Sequence, residues 1–234
     1  EPLADRLADI FWPGPMTLVL PLREDAPVTK AVTAGLPTIA VRCPAHRIMQ
    51  AVLTKSGLNL AAPSANKSGA ISPTRAEHVH ASLGGTVPLI LDGGPCTEGL
   101  ESTIVAVREN GWQILRPGPV TLEEIAAVAG SPPIAVASDK VEAPGQLASH
   151  YAPTKPLRLN AEQAEAGEWL IGFGALGGDD NLSASSDLAQ AAARLFDALH
   201  RADASDATAI AVTSIPNSGI GVAINDRLAR AAVR

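Results

Sequence analysis

LAAPSANKSGAISPT, residues Leu60 to Thr74, opens as an apolar run of strand character and after Pro63 fills with Ser, Asn, Lys, Gly and Thr. Gly, Pro, Asn and Ser favour loops for local backbone reasons, so turn chemistry accounts for part of the stretch. A strand that empties into a loop of hydroxyl and amide groups also suits a sheet that presents polar side chains to a ligand. Which of the two applies depends on the secondary structure around it.

Working outward, Leu3 to Ile10 reads as a helix stopped by Pro13-Gly14-Pro15, and Met16 to Leu22 as a strand. TIAVR, Thr38 to Arg42, is a short β-branched strand, Ala45 to Ser56 a helix and Leu58 to Ala62 a strand feeding the loop. Arg75 to Leu83 is helical with Thr74 as its expected N-cap. Val87 to Leu91, Ser102 to Val107 and Trp112 to Leu115 read as strands, the last two joined by a turn at Glu109-Asn110-Gly111 that signals a hairpin. Thr121 to Ala129 is a helix, and then the composition turns to Pro, Ser and Ala without a sustained period, which reads as a linker. Beyond it strand and helix alternate: Glu168 to Phe173, Leu188 to His200, Ala207 to Val212, Ile220 to Val233. That alternation predicts a smaller α/β domain with a mostly parallel sheet.

Composition agrees with an α/β chain. Apolar residues make up 46% of 234, but aromatics only 3%, so the core must be built from Ala, Val, Leu and Ile. Base-stacking platforms are not expected on the same ground. The net charge is −6: 11 basic against 13 acidic residues up to Lys140, and 7 against 11 from Val141 on. Neither part has the basic surplus that grips nucleic acid through bulk electrostatics, so no strong direct nucleic-acid binding is expected. No apolar run is long enough for a membrane helix. Cys43 and Cys96 lack CxxC spacing and read as small buried side chains in a reducing, cytoplasmic setting. Cys43-Pro-Ala-His46 offers two ligands without a second pair, a poor tetrahedral metal site, and no metal ligand is assigned. The chain starts at Glu1 in mid-pattern, and a preceding segment is expected.

Four constellations carry candidate chemistry. Ser64, Asn66, Ser68 and Ser72 offer neutral hydrogen-bonding groups beside Lys67, and Gly69 allows close backbone approach, as a polyphosphate or ribose would need. The alternative is a surface turn, since the ending of a Walker loop is absent. Thr38 and Arg42, four apart on one strand, point to one face, with the guanidinium a fork for carboxylate or phosphate. The competing reading is an edge-strand ion pair. LDGGPCTEGLESTIV and ILRPGPVT place Glu101-Ser102-Thr103 and Arg116 at strand ends, where hairpin chemistry alone is the competitor. Ser64 or Ser102 as a hydrolase nucleophile is disfavoured because GxSxG is missing around both. Last, His150-Tyr151 stands out in an aromatic-poor chain, either as a working pair or as a pin for the linker.

In order, WPGPMTLVL, TIAVRCPAH, LAAPSANKSGAISPT, LDGGPCTEGLESTIV and ILRPGPVT resemble the YrdC-like domain of the threonylcarbamoyl-AMP synthase family. APGQLASHYAPTKPLRL is similar to the bridge of its long two-domain members, and GIGVAINDRLARAA to their C-terminal domain. The resemblance implies an α/β fold: a YrdC-like twisted mixed sheet with helices over residues 1–130, a linker over 131–156 and a Rossmann-like domain over 157–234. It implies an enzyme that condenses L-threonine, bicarbonate and ATP, with Mg2+ on the nucleotide, to threonylcarbamoyl-AMP and pyrophosphate. The product would pass to the machinery that modifies tRNA. Thr38, Ser64, Ser72 and Arg116 would bind ATP; Arg42, Ala62 through its backbone, and Ser102 would bind threonine. Asn66 and Lys67 are secondary candidates, and His150 and Tyr151 would belong to a linker that closes over the active site.

Two departures from the family pattern stand out. Its PTDTVYGL-like threonine segment and following KxR element are not in the sequence, and the linker has Gln146 and Ala148-Ser149 where Met or Lys and a Tyr-Arg pair are common. Rival readings are an RNA-binding module, a carbamoyl-transfer domain of the hydrogenase-maturation type, and an inactive fragment or regulatory paralogue. The carbamoyl-transfer reading lacks the zinc-finger cysteines such proteins carry.

Overall fold

The structure, a computed structural model, describes residues 2–134 and 150–233. Gln146 and Ala148-Ser149 therefore lie outside the described residues. The described chain divides into two compact units that interleave in sequence. One takes in the residues up to Ala62 and those from Glu101 to Ile134; the other takes in Pro63 to Leu100 and the residues from His150 on.

In the first unit a four-stranded sheet runs β2-β1-β3-β4, with β1 Met16–Pro21, β2 Thr38–Val41, β3 Thr103–Arg108 and β4 Gly111–Arg116. The β1–β2 and β3–β4 pairs are antiparallel and β1–β3 is parallel, giving the mixed sheet that the family resemblance implies. The β3–β4 hairpin closes with Arg108 opposite Gly111, leaving Glu109-Asn110 as its two loop residues. Period-two alternation sorts β3 between faces: Val105 and Val107 pack with Met16, Leu18 and Trp112, while Ile104 and Ala106 pack with Val19 and Leu115. The first face is covered by α1 (Pro2–Phe11), through Ala4 and Leu7, and by α5 (Leu122–Ala129), through Ile125. Thr121 starts α5 with a full capping box: its hydroxyl accepts from the Glu124 N–H, and the Glu124 carboxylate accepts from the Thr121 N–H. The short helix α2 (Lys30–Thr33) and helix α3 (Arg47–Ser56) complete the unit.

In the second unit a parallel sheet runs β5-β8-β6-β7, with β5 Leu157–Arg158, β6 Glu168–Gly172, β7 Asp180–Asn181 and β8 Ala209–Val212. One face packs on α6 (Leu188–Ala204) and α7 (Gly221–Ala232). Asp187 caps α6, accepting from the N–H groups of Ala189 and Gln190. The helix buries Leu195, Phe196 and Leu199, each worth about 1.5–3 kcal/mol of transfer free energy. Helix α4 (Ala76–Leu83) belongs to this unit, and Ile71 and Leu100 join the same core. Gly99 must be glycine: its φ is +68°, and a Cβ there would lie 2.4 Å from the Ala192 carbonyl oxygen.

Three expectations are corrected. Leu58 to Ala62 and Val87 to Leu91 are not strands. Neither pairs with another strand among the described residues, and Leu58, Leu60, Leu89 and Leu91 are exposed. Apolar, strand-prone sequence supplies only half of what a strand needs, the other half being a hydrogen-bonded neighbour. The N-cap of α4 is Arg75, not Thr74; the Thr74 hydroxyl lies 3.4 Å from His78 Nδ1 instead. Cys43 is half-buried and Cys96 exposed, because Cys96 sits in a surface loop held through its backbone N–H to the Thr74 carbonyl.

Candidate functional site

Strand register alone brings four polar side chains to one end of the first sheet. Leu18 lies opposite Val41, Met16 opposite Thr103, and Ile104 opposite Arg116. The start of β1, the end of β2, the start of β3 and the end of β4 therefore lie at the same end of the sheet, which carries Thr17, Arg42, Ser102 and Arg116. Thr38 pairs with Pro21 at the far end of β2, so it stands a full strand length from Arg42.

Ser102 and Arg116 form the centre of this corner, 4% and 8% exposed. The Arg116 guanidinium donates from Nε and Nη2 to the Ser102 carbonyl at 3.2 and 2.9 Å, and from Nη2 to the Ser102 hydroxyl at 3.3 Å. Thr17 Oγ1 is 2.7 Å from Ser102 Oγ. Arg42, exposed just beyond β2, donates from Nε to the Gly14 carbonyl at 3.0 Å. Beneath Ser102, the fully buried Thr103 hydroxyl donates to the Val120 carbonyl at 2.7 Å and accepts from the Val120 N–H at 3.0 Å, which ties the RPGPV turn to β3. Gly118 makes that contact possible, since a Cβ there would lie 2.5 Å from the Thr103 nitrogen. Thr17 lies within WPGPMTLVL, where nothing in the pattern gives it a role; the register and its 2.7 Å contact with Ser102 do.

The Ser-rich loop lies in the second unit. Asn66 folds the loop on itself, its Nδ2 donating to the carbonyls of Lys67 and Ala70, both at 3.0 Å. The Lys67 N–H donates to the Ser82 hydroxyl on α4 at 2.9 Å. Ser64 and Lys67 are exposed, whereas Ser72 is buried at 7%. Ala62, at the end of the first unit, is exposed coil.

His150 and Tyr151 sit beside this loop in the same unit. The Ala152 N–H donates to the Gly69 carbonyl at 2.8 Å, and Ala70 and Ala152 form a parallel bridge. Tyr151 is 1% exposed, with its ring 5.6 Å from Phe196 and 4.0 Å edge-on from His150, and the Arg227 guanidinium 5.2 Å from its centroid. The tyrosine is thus a core side chain that seats the end of the linker against the loop. Among the described residues no group of three or more His, Cys, Asp or Glu is placed to hold a metal ion.

Comparison with known proteins gives a consistent picture. Residues 1–118 match the family model described as Telomere recombination, and residues 120–233 match the one described as the C-terminal domain of threonylcarbamoyl-AMP synthase. The chain is 39% identical over 254 residues to the threonylcarbamoyl-AMP synthase of Bacillus subtilis, covering 98% of this chain and 72% of that protein. It is 37% identical over 250 residues to that of Pyrococcus abyssi, covering 97% and 73%. A crystal structure of P. abyssi Sua5 complexed with L-threonine superposes with a TM-score of 0.87 at 35% identity, over 99% of this chain and 74% of that one. A variant of P. abyssi Sua5 with an adjacent histidine and tyrosine replaced by alanine superposes with a TM-score of 0.86 at 33% identity, over 99% and 73%.

Proposed function

Because the chain belongs to the threonylcarbamoyl-AMP synthase family in its two-domain form, we propose that its corner of Thr17, Arg42, Ser102 and Arg116 serves threonylcarbamoyl-AMP synthesis. The reaction is nucleotidyl transfer: L-threonine and bicarbonate join with loss of water, the resulting carboxylate takes the AMP group of ATP to give threonylcarbamoyl-AMP, and pyrophosphate leaves. The product is the donor for tRNA modification. The observation that carries this reading is the hydrogen-bonded cluster of Thr17, Ser102 and Arg116 at one end of the sheet, with Arg42 at the same end beyond β2, in a chain whose structural relative was solved with L-threonine.

The residue roles are those the family resemblance implies by motif position, and the chemistry of the groups suits them. Arg42, exposed and anchored through Nε to the Gly14 carbonyl, offers a planar guanidinium suited as a fork for the threonine carboxylate. Ser102 and the Ala62 backbone are assigned to threonine as well. Thr38, Ser64, Ser72 and Arg116 are assigned to ATP, the buried Arg116 guanidinium being suited to an anionic oxygen. Asn66 and Lys67 shape and charge the same loop. Catalysis in this scheme is chiefly positioning, with the threonine nitrogen, bicarbonate and α-phosphate aligned while cations offset the developing charge. Magnesium arrives with the triphosphate, whose hard oxygens are its natural ligands. His150 and Tyr151 match in kind the pair replaced in the P. abyssi variant, and Tyr151 is the only tyrosine in the sequence.

No described helix is long and apolar enough to cross a membrane, and a cytoplasmic site of action is proposed on the two reduced cysteines. The RNA-binding reading finds no support in a net charge of −6.

The test is pyrophosphate release measured with each substrate omitted in turn. Release that needs ATP, threonine and bicarbonate together supports the reading, and release indifferent to threonine refutes it. Arg42→Ala is expected to raise KM for threonine while leaving KM for ATP within twofold. The reverse pattern would reassign that arginine.

A further inference from the structure

The Ser72 to Arg75 stretch is gripped at three successive points by side chains of α4 and α6. His200, on α6, donates from Nε2 to the Ser72 carbonyl at 3.1 Å; a carbonyl only accepts, so Nε2 carries the proton. The Thr74 N–H donates to His78 Nδ1 at 3.2 Å, so that nitrogen is bare and His78 carries its proton on Nε2, 3.7 Å from Asp197. Arg75 donates from Nε to Asp197 Oδ1 at 2.7 Å. The two imidazoles stack at 3.7 Å between centroids and 22° between planes. Asp197 is braced in turn by Arg201, which also pairs with Asp180.

This is more apparatus than packing requires. Two stacked imidazoles each spend one ring nitrogen on the backbone of the same three-residue segment, and two apolar rings would fill the space without either bond. The contact also joins the two family segments, since Ser72 falls in residues 1–118 and α6 in residues 120–233, within one compact unit. We infer that His78 and His200 are positioning residues for ATP recognition: the stacked pair fixes the Ser72–Thr74 backbone so that the Ser72 hydroxyl meets the nucleotide in one pose. Helix α6 of the C-terminal domain thereby acts on the nucleotide loop directly. The inference rests on the assignment of Ser72 to ATP made above.

The electrostatic surroundings favour the neutral pair, which the bond from Thr74 to His78 needs. Burial lowers the affinity of both rings for a second proton, and for His78 the neighbouring His200 and Arg75 add to it. Asp197 and Glu77 oppose this at His78; at His200 the bond to Ser72, Asp197 and Asp203 do so. A second proton on His78 Nδ1 would also cost the bond from Thr74. Below the ordinary histidine range the grip is expected to loosen.

The experiment compares His200→Phe, His200→Gln, Ser72→Ala and the double variant Ser72→Ala/His200→Phe in the whole protein, reading kcat, both KM values and melting temperature. Phe keeps a ring for stacking but has no donor; Gln places an amide N–H near the position of Nε2. His200→Phe is expected to raise KM for ATP about 5–10-fold, the weight of one hydrogen bond. KM for threonine and kcat should stay within twofold, Gln should restore KM, and His200→Phe should add nothing once Ser72 is Ala. A rise with Ser72→Ala but none with His200→Phe overturns the positioning role and leaves the nucleotide assignment standing. Equal rises in both KM values with a lowered melting temperature, or full additivity in the double variant, also overturn it. If Ser72→Ala itself leaves KM for ATP unchanged, the assignment fails and the inference falls with it.

Discussion

Gly118→Ala probes how the Ser102–Arg116 corner is held. The added methyl would lie 2.5 Å from the Thr103 nitrogen, 2.7 Å from the Glu101 carbonyl oxygen and 2.8 Å from the Ser102 carbonyl carbon, where ordinary contact begins at 3.4 Å. All three neighbours are backbone, so no rotamer change relieves the overlap, and the RPGPV turn must part from the start of β3 by close to an ångström. Overpacking of this kind costs about 1–3 kcal/mol, or roughly 2–12 °C in melting temperature for a chain of this size. The functional effect should be larger. Ser102 is held to Thr17 at 2.7 Å and to Arg116 at 2.9 Å, bonds that do not survive such a shift. A misplacement near 1 Å costs roughly 10²-fold, so kcat/KM for threonine is expected to fall by about one to two orders of magnitude. Gly177→Ala is the control, with nothing within 4 Å of its added methyl and no left-handed backbone. Differential scanning fluorimetry and pyrophosphate release on both variants decide the matter. Wild-type melting and kinetics in Gly118→Ala, or equal damage in Gly177→Ala, would refute the steric argument.

Further outcomes follow from the same kind of contact. Thr103→Val keeps shape but strips two bonds from the buried Val120 backbone, each orphaned group costing about 1–3 kcal/mol; the urea midpoint should drop with the m-value unchanged. Leu195→Ala, in the fully buried face of α6, should cost about 2–5 kcal/mol in urea titration. Thr121→Ala removes a capping box and should cost about 0.5–2 kcal/mol, with Thr121→Ser close to wild type. Arg158 holds the Glu168 carboxyl from its ordinary 4.5 down to about 2, partly against desolvation. A lowered carboxylate stabilises the fold fully above its unfolded value and loses that contribution as pH falls through the folded one. Stability of the native protein should therefore decline between 4.5 and about 2 more steeply than that of Glu168→Gln; parallel acid limbs would show that the pair contributes nothing.

Much of the fold was legible in the residues themselves. The strand character of Ser102 to Val107, the Asn-Gly hairpin signal and the helical reading of Thr121 to Ala129 mark β3, β4 and α5, because each depends on neighbours within a few residues. LNLAA and VPLIL carried as strong a strand signal, yet pair with no strand among the described residues, since pairing depends on a partner that local pattern does not name. In the site, Arg42, Ser102 and Arg116 were visible as strand-end residues in recognisable motifs. Thr17 was not, because nothing near it signals that Ser102, 85 residues on, lies within hydrogen-bond distance.

The sequence by itself determined the α/β class, the resemblance to the synthase family, and the residue types at the loop tips, all written in short-range pattern and composition. Tertiary structure alone decided which of those residues meet. The parallel β1–β3 register set Thr17 beside Ser102, Gly118 let the turn close onto Thr103, and the packing of α6 carried His200 to the Ser72 carbonyl across 128 positions. Such meetings are fixed by the sum of many weak contacts spread over the core, and no single stretch of sequence contains that sum.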